Sequence, residues 1–137
     1  MREVTVTRVL DASPPIVSRW LDPATIVEGE GSFTVETIDE RADATVVIAS
    51  GPGMQLPLRF EDRENAIYYT QEGEQSPFSH MKTWIEIEEP AESTGTRVTI
   101  RSSVSLAAPL PFGDRIAGWK RSGELERLLD TLEEEVG

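Results

Sequence analysis

Hydrophobic and polar residues alternate along most of the chain, and the parity of the alternation predicts a sheet with one buried face. In "EVTVTRVL", Val4, Val6 and Leu10 share one side of a first strand. The alternation stops at "DASPP", because proline cannot donate to a ladder. Ser13 can cap a helix there, with Pro14 at its first position. Ile16, Val17, Trp20 and Leu21 then recur at helical spacing, and Asp22-Pro23 closes the short amphipathic helix. The following "VEGEGS" (27–32) reads as a loop.

Six more strand patterns come in quick succession. "FTVETI" alternates, "DERAD" turns, "ATVVIAS" runs to the turn "GPG", and "LPLRFE" puts Leu56, Leu58 and Phe60 on one face. After "DREN" comes "AIYYTQ", then the loop "GEQSPFS". "HMKTWIEIE" aligns Met81, Thr83, Ile85 and Ile87. Beyond the loop "EPAESTG", "TRVTIRSSVSL" aligns Val98, Ile100, Ser102, Val104 and Leu106. Hairpin-length connections between consecutive strands predict an antiparallel meander.

The last pattern is helical, from about Pro111 to Glu135, and it has two faces. Phe112, Ile116 and Trp119 fall together, with Gly123 continuing them. Leu125, Leu128, Leu129, Leu132 and Val136 cluster nearly opposite, at about 100° per residue. Either the helix bends near Ser122-Gly123, or its first half covers something other than the sheet. A sheet with one buried face needs a cover, and this helix is the only long apolar-faced element left to supply it. Residues 1–137 therefore read as one domain, without repeat or linker.

Two inward-parity features are polar in a way that matters. Arg8 shares parity with Val4, Val6 and Leu10, and a buried guanidinium must pair, reach the rim or meet a polar ligand. Tyr69, Thr83 and Ser102 also fall on core-facing parity, where polar groups can orient a bound small molecule or bond to one another.

Charge sets the surface. Asp and Glu number 25 against 13 Lys and Arg, for a formal charge of −12, and only Lys82 and Lys120 are lysines. Such a surface suits a salt-accumulating cytoplasm, as in a halophilic archaeon; a GC-rich genome would also replace lysine with arginine. No basic patch exists for nucleic acid. The absence of cysteine excludes disulfides and thiolate chemistry, and a single histidine excludes a multi-histidine zinc site. "MREVTVTRV" alternates like a strand and not like a signal peptide, and no apolar run has the length of a membrane span. A cytoplasmic domain is expected.

No catalytic motif emerges. His80 has the parity of Lys82, Trp84 and Glu86, the polar side of its strand. Ser76 and Ser79 lie near it, but no G-x-S-x-G elbow occurs. The "GEGS" and "GPG" glycines complete no phosphate loop. Asp39, Glu40 and Asp43 lack calcium-loop spacing. No metal or cofactor is expected.

The segment "RVLDASPPIVSRWLDP", the tail "FGDRIAGWKRSGELERLLDTL" and the element order together resemble the START-like helix-grip superfamily, the SRPBCC proteins. That group includes polyketide cyclase/dehydrase-like proteins and the birch pollen allergen type. The resemblance implies an α+β helix-grip fold: a seven-stranded antiparallel sheet curled around a long C-terminal helix, with short helices between strands 1 and 2. It also implies an apolar or amphipathic ligand held between sheet and helix. Leu58 and Ile85 would then wall the cavity, Arg8, Tyr69, Thr83 and Ser102 would offer polar contacts, and Phe112, Ile116 and Trp119 would form a lid. A cofactor-independent cyclase, dehydratase or hydrolase is the alternative, and a co-chaperone-like module using the last helix to hold a protein partner is the third.

One prediction follows from charge alone. Carboxylate repulsion should destabilise the fold at low ionic strength, so the melting temperature should climb steeply from low to multimolar potassium chloride. A flat profile would favour the GC-rich explanation.

Overall fold

A computed structural model describes residues 2–63, 66–72, 78–90, 94–106 and 112–137. The side chains of Phe78, Ser79 and Leu106, most of the "GEQSPFS" loop with Ser76, and Pro111 at the expected helix start lie outside the description, as do residues 64–65 and 91–93 of two predicted turns.

The strand β1 (Arg2–Leu10) leads into helices α1 (Pro14–Trp20) and α2 (Pro23–Glu30). Six strands follow: β2 (Thr34–Glu40), β3 (Thr45–Gly51), β4 (Met54–Arg63), β5 (Ala66–Gln71), β6 (Phe78–Glu88) and β7 (Thr96–Leu106). The long helix α3 (Gly113–Val136) comes last. Every pairing is antiparallel, and the sheet order is β1-β7-β6-β5-β4-β3-β2. Strands β2 to β7 thus form the predicted meander, and β1 returns to the far edge of β7.

Parity holds on β1, β4, β6 and β7, whereas β2 has no buried side: its register shifts between Val35 and Thr37, and Ile38 is exposed. Val6, Leu10, Leu56, Leu58, Phe60, Tyr69, Met81, Ile85, Val98, Ile100 and Val104 all join one core with Leu125, Leu128, Leu129 and Leu132 of α3. The outward side of the sheet carries polar and aromatic pairs instead. Tyr68 and Trp84 meet with ring centroids 5.2 Å apart, and Arg63 and Arg101 sit over the two rings. Among the described residues no helix is long and apolar enough to cross a membrane.

Two local expectations need correction. Residues 27–30 are helical, not loop, because α2 has its own start and stop. The Asp22 side chain accepts from the Thr25 N–H at 2.9 Å while the Thr25 hydroxyl accepts from the Asp22 N–H at 3.1 Å, a reciprocal cap with Pro23 behind it. Gly31, at φ 83°, ends the helix in the left-handed region. Ser13 is the N-cap of α1, but its side chain makes no capping bond, and its carbonyl takes the first helical N–H groups instead.

Helix α3 is continuous, and it resolves the two-faced pattern. Ala117, Arg121, Glu124, Leu125, Leu128 and Leu132 form one buried stripe at helical spacing. The inward side of the first half is therefore small or charged, not apolar. Gly118 lets the Arg2 side chain pass so close that a Cβ would lie 2.5 Å from its Cγ. Phe112, Ile116 and Trp119 consequently face outward, 72%, 51% and 80% exposed.

The ends of the elements are tied together at one rim. Gly95 adopts φ 110° under β1, where a Cβ would collide with the Leu10 carbonyl oxygen. Thr96 Oγ1 donates to the Ala12 carbonyl at 2.7 Å, and the Asp11 N–H donates to the Gly137 carbonyl at 2.9 Å.

Candidate functional site

Between the sheet and α3 the core turns polar. Tyr69 on β5, Thr83 on β6 and Ser102 on β7 are successive cross-strand partners, so their side chains stand in a row on the inward face. All three are fully buried. Arg121 comes down on that row from α3, and Glu124 lies one turn further on.

Glu30 arrives from α2 because that helix is pressed against α3. At Gly29 an added Cβ would lie 2.7 Å from Leu128 Cδ1, so a larger residue there would require the Leu128 side chain to shift. Arg127 Nε donates to the Glu30 carbonyl at 2.9 Å, which satisfies an end-of-helix acceptor and fixes the last turn.

The Arg121 guanidinium uses all five of its N–H donors. Nε donates to Ser102 Oγ at 3.1 Å. One terminal nitrogen donates to Glu30 at 2.7 Å and to Glu124 at 3.1 Å. The other donates to the Tyr69 hydroxyl at 2.5 Å and to Thr83 Oγ1 at 2.9 Å. Tyr69 also donates to Glu30, Ser32 donates to Glu124, and the Thr83 and Ser102 hydroxyls share a bond of 2.8 Å. Phe60 stacks on Tyr69 with centroids 4.5 Å apart.

The charges are unequal. One buried cation faces two buried carboxylates, so the cluster favours keeping a proton. Burial raises the Glu30 carboxyl above its ordinary range, although Arg121 pulls it down. Burial lifts the Tyr69 hydroxyl well above its ordinary value, against the pull of Arg121. Burial alone would lower Arg121, but Glu30, Tyr69 and Glu124 hold it well above the usual guanidinium value. The guanidinium stays charged, and burial makes the Glu30 carboxyl hold a proton more tightly than an ordinary carboxyl.

The structure thus brings together three of the polar residues expected from sequence, Tyr69, Thr83 and Ser102. Leu58 and Ile85 lie in the surrounding core. Arg8 goes elsewhere: it reaches the flank of α3 and bonds to Glu126 at 3.1 Å, Asp130 at 2.9 Å and Glu133 at 3.2 Å. Phe112, Ile116 and Trp119 lie on the side of α3 away from the cluster. His80 is half-buried and shares the parity of Lys82, not that of Thr83. Arg121, Glu30 and Glu124 were not expected from sequence. Arg121 stands four, seven and eleven positions before Leu125, Leu128 and Leu132, a charged residue on the apolar stripe, and that was the available signal.

Near the tied rim, the inward side of the sheet opens to solvent. A cleft of about 370 Å³ is lined by Leu21, Pro23, Phe60 and Ile67, with Arg41 and Asp62 among the polar residues around it. A neighbouring cleft of about 460 Å³ shares Asp62 and Ile67 and adds Pro14, Pro15 and Ile87. Phe60 connects the first cleft to Tyr69 and so to the polar cluster. Among the described residues no group of three or more His, Asp or Glu side chains is arranged to hold a metal ion.

No protein-family model matches the sequence, and no curated protein does. Solved structures match over nearly the whole chain. A START superfamily protein from Mycobacterium smegmatis superposes with a TM-score of 0.73 at 15% identity, covering 98% of this chain and 96% of that one. The chain has the START superfamily fold. A protein from Thermus thermophilus gives a TM-score of 0.71 at 23% identity over 98% of this chain and 97% of its own. The di-domain ARO/CYC BexL from the BE-7585A biosynthetic pathway gives 0.73 at 17% identity, covering 98% of this chain and 46% of that one. Within the START fold, the cluster of Arg121 lies between sheet and C-terminal helix.

Two predictions test the charge arrangement. Arg121→Met strands two buried carboxylates and should cost about 3–5 kcal/mol at neutral pH. Urea unfolding should show part of that loss recovered in mild acid, where the carboxylates can take up protons; a pH-independent loss below about 1 kcal/mol would contradict the arrangement.

The second concerns Glu30 alone. Its carboxyl binds a proton more tightly folded than unfolded. The stability this contributes is complete below the ordinary carboxylate range and is lost as pH rises through the raised value. Glu30→Gln lacks that loss, so the variant should gain on the parent as pH rises from acid to neutral. A constant difference across that range would refute the assignment.

Proposed function

We propose that the protein binds a small hydrophobic or amphipathic molecule on the inward side of its sheet, in the cleft that Phe60 joins to the Arg121 cluster. The observation that carries this reading is the cluster itself. Apolar residues of similar volume in place of a buried ion-pair network are often neutral or stabilising by about 1–4 kcal/mol. Stability alone therefore gives little reason to keep six polar side chains there. The cleft over Phe60 and Ile67, with Arg41 and Asp62 among its polar lining, lies on the inward side of the sheet, and its volume falls in the usual range for small-molecule sites. Tyr69, Thr83 and Ser102 keep the polar role, and Leu58 and Ile85 form the apolar surroundings. Arg8 lies outside the cluster, bonded to Glu126, Asp130 and Glu133. Fold neighbours that include a START superfamily protein and an ARO/CYC protein fit ligand binding or cyclase activity. The reading takes the cytoplasm as the compartment and requires no cofactor.

A second reading has its own support. Glu30 is a buried carboxyl with raised proton affinity, bonded to Tyr69 and Arg121, and that is a suitable environment for a general acid. A cofactor-independent cyclase or dehydratase could use it.

The test is uptake of a naphthalene dye and of a long-chain fatty acid. Binding should saturate at one molecule per chain, and native mass spectrometry should recover the fatty acid unchanged. Tyr69→Phe and Ile67→Ala should each weaken binding by about 1 kcal/mol, roughly fivefold. Absence of saturable binding, or affinity indifferent to both changes, would overturn the proposal; a chemically altered ligand would move the enzyme reading ahead.

A further inference from the structure

Four charged residues line the two clefts on the inward side of the sheet, and three of them already have an opposite charge. Arg41 bonds to Asp39 at 3.1 Å and to Glu72 at 3.3 Å. Asp43 pairs with Arg59 at 3.0 Å, and Arg63 with Glu61 at 3.2 Å. Asp62 differs: among the described residues nothing bonds to its carboxylate. Its place in the strand differs as well. Leu58, Phe60 and Asp62 are successive inward positions of β4, and Asp62 opposite Ile67 is the next inward pair after Phe60 and Tyr69. Both clefts share Asp62 and Ile67, so the carboxylate lies at their junction.

We propose that Asp62 selects the ligand: the clefts take a small molecule with an apolar body and a protonated amine, in preference to the same body with a neutral or acidic head. This selectivity rests on the clefts being the binding site proposed above. Leu21, Phe60, Ile67 and Ile87 give the body an apolar wall. A protonated amine beside Asp62 brings the donor and the positive charge that the carboxylate lacks within the chain. An acidic head meets the opposite situation. Pro14, Pro15 and Pro23 line the clefts and have no N–H to give it. The two guanidinium groups of the lining, Arg41 and Arg63, are already held by carboxylates. The formal charge of −12 attracts any cation from a distance, so contact with Asp62 must be separated from that attraction.

Three probes share one body and differ in the head: naphthylmethylamine, naphthylmethanol and naphthoate. Titration calorimetry on the intact protein at physiological ionic strength should show the amine about fivefold tighter than the alcohol, the scale of a solvent-accessible ion pair. The naphthoate should be about fivefold weaker than the alcohol. Asp62→Asn should bring the three within about twofold of one another and leave the alcohol's affinity unchanged. Asp62→Lys should reverse the order. Asp62 is exposed, so neither change disturbs the core. Glu3→Gln, on the exposed start of β1, removes the same unit of charge as Asp62→Asn and should leave the preference for the amine intact.

The possible failures are distinct. If none of the three probes binds saturably, the clefts are not the binding site, and the selectivity falls together with the proposed function. If naphthylmethanol binds and the amine gains nothing over it, the role of Asp62 fails alone. It fails alone as well if the amine keeps its advantage in Asp62→Asn. Equal loss of the preference in Asp62→Asn and Glu3→Gln overturns it too, because the preference would then belong to net charge and not to the contact.

Discussion

One guanidinium sets the terms for the interior. Arg121 holds α2, β5, β6, β7 and α3 to a common point, because its planar fork has acceptors in each of the other four elements and a further one, Glu124, on α3. Bringing a cation out of water costs several kcal/mol, and that cost is recovered only if every donor is matched at good geometry. The matching groups cannot then move independently. Tyr69, Thr83 and Ser102 are held in register by the sheet, and Glu30 by the seating of α2 on Leu128. The constraint explains why Gly29 and Gly31, two residues with no chemistry of their own, bracket a carboxylate.

The same preference for shared guanidinium groups runs over the surface. Arg8 serves three carboxylates, and Arg41 and Arg59 serve two each. A chain with about twice as many acids as bases neutralises more of them when each cation bridges several, and the arginine fork does this where a lysine ammonium acts as a point charge. The near absence of lysine therefore has a structural meaning whatever its origin in the genome.

Most of the sheet was legible because burial imposes a period of two on it, and Val98, Ile100, Ser102 and Val104 announce their face without help. The polar row was half legible for the same reason: parity placed Tyr69, Thr83 and Ser102 inward. Arg121 and Glu124 were not legible because a charged residue on a helix is ordinarily solvated, and their burial depends on partners on the sheet and α2 that no local pattern reveals. Glu30 escaped because its helix was read as a glycine-rich loop. The reciprocal cap of Asp22 and Thr25 decides that segment, and a short helix seated by tertiary contact shows little periodicity. Arg8 was placed on the correct parity, but its partners stand on α3, far along the chain, where no local pattern could reveal them.

The pairing of β1 with β7 has a consequence for how the chain is made. Val4 lies against Ser102 and Leu10 against Thr96, so the first strand has no neighbour in the sheet until nearly the whole meander exists. Helix α3 follows β7 and brings both the leucines and Arg121. During synthesis the meander emerges with its apolar side uncovered, and the Tyr69 row waits there without its cation. Final closure is thus a late event between distant segments, the kind of topology that folds slowly and relies on solubility in the interval. A net charge of −12 opposes association between such half-built chains, so the acidic surface serves the unfinished chain as well as the finished fold.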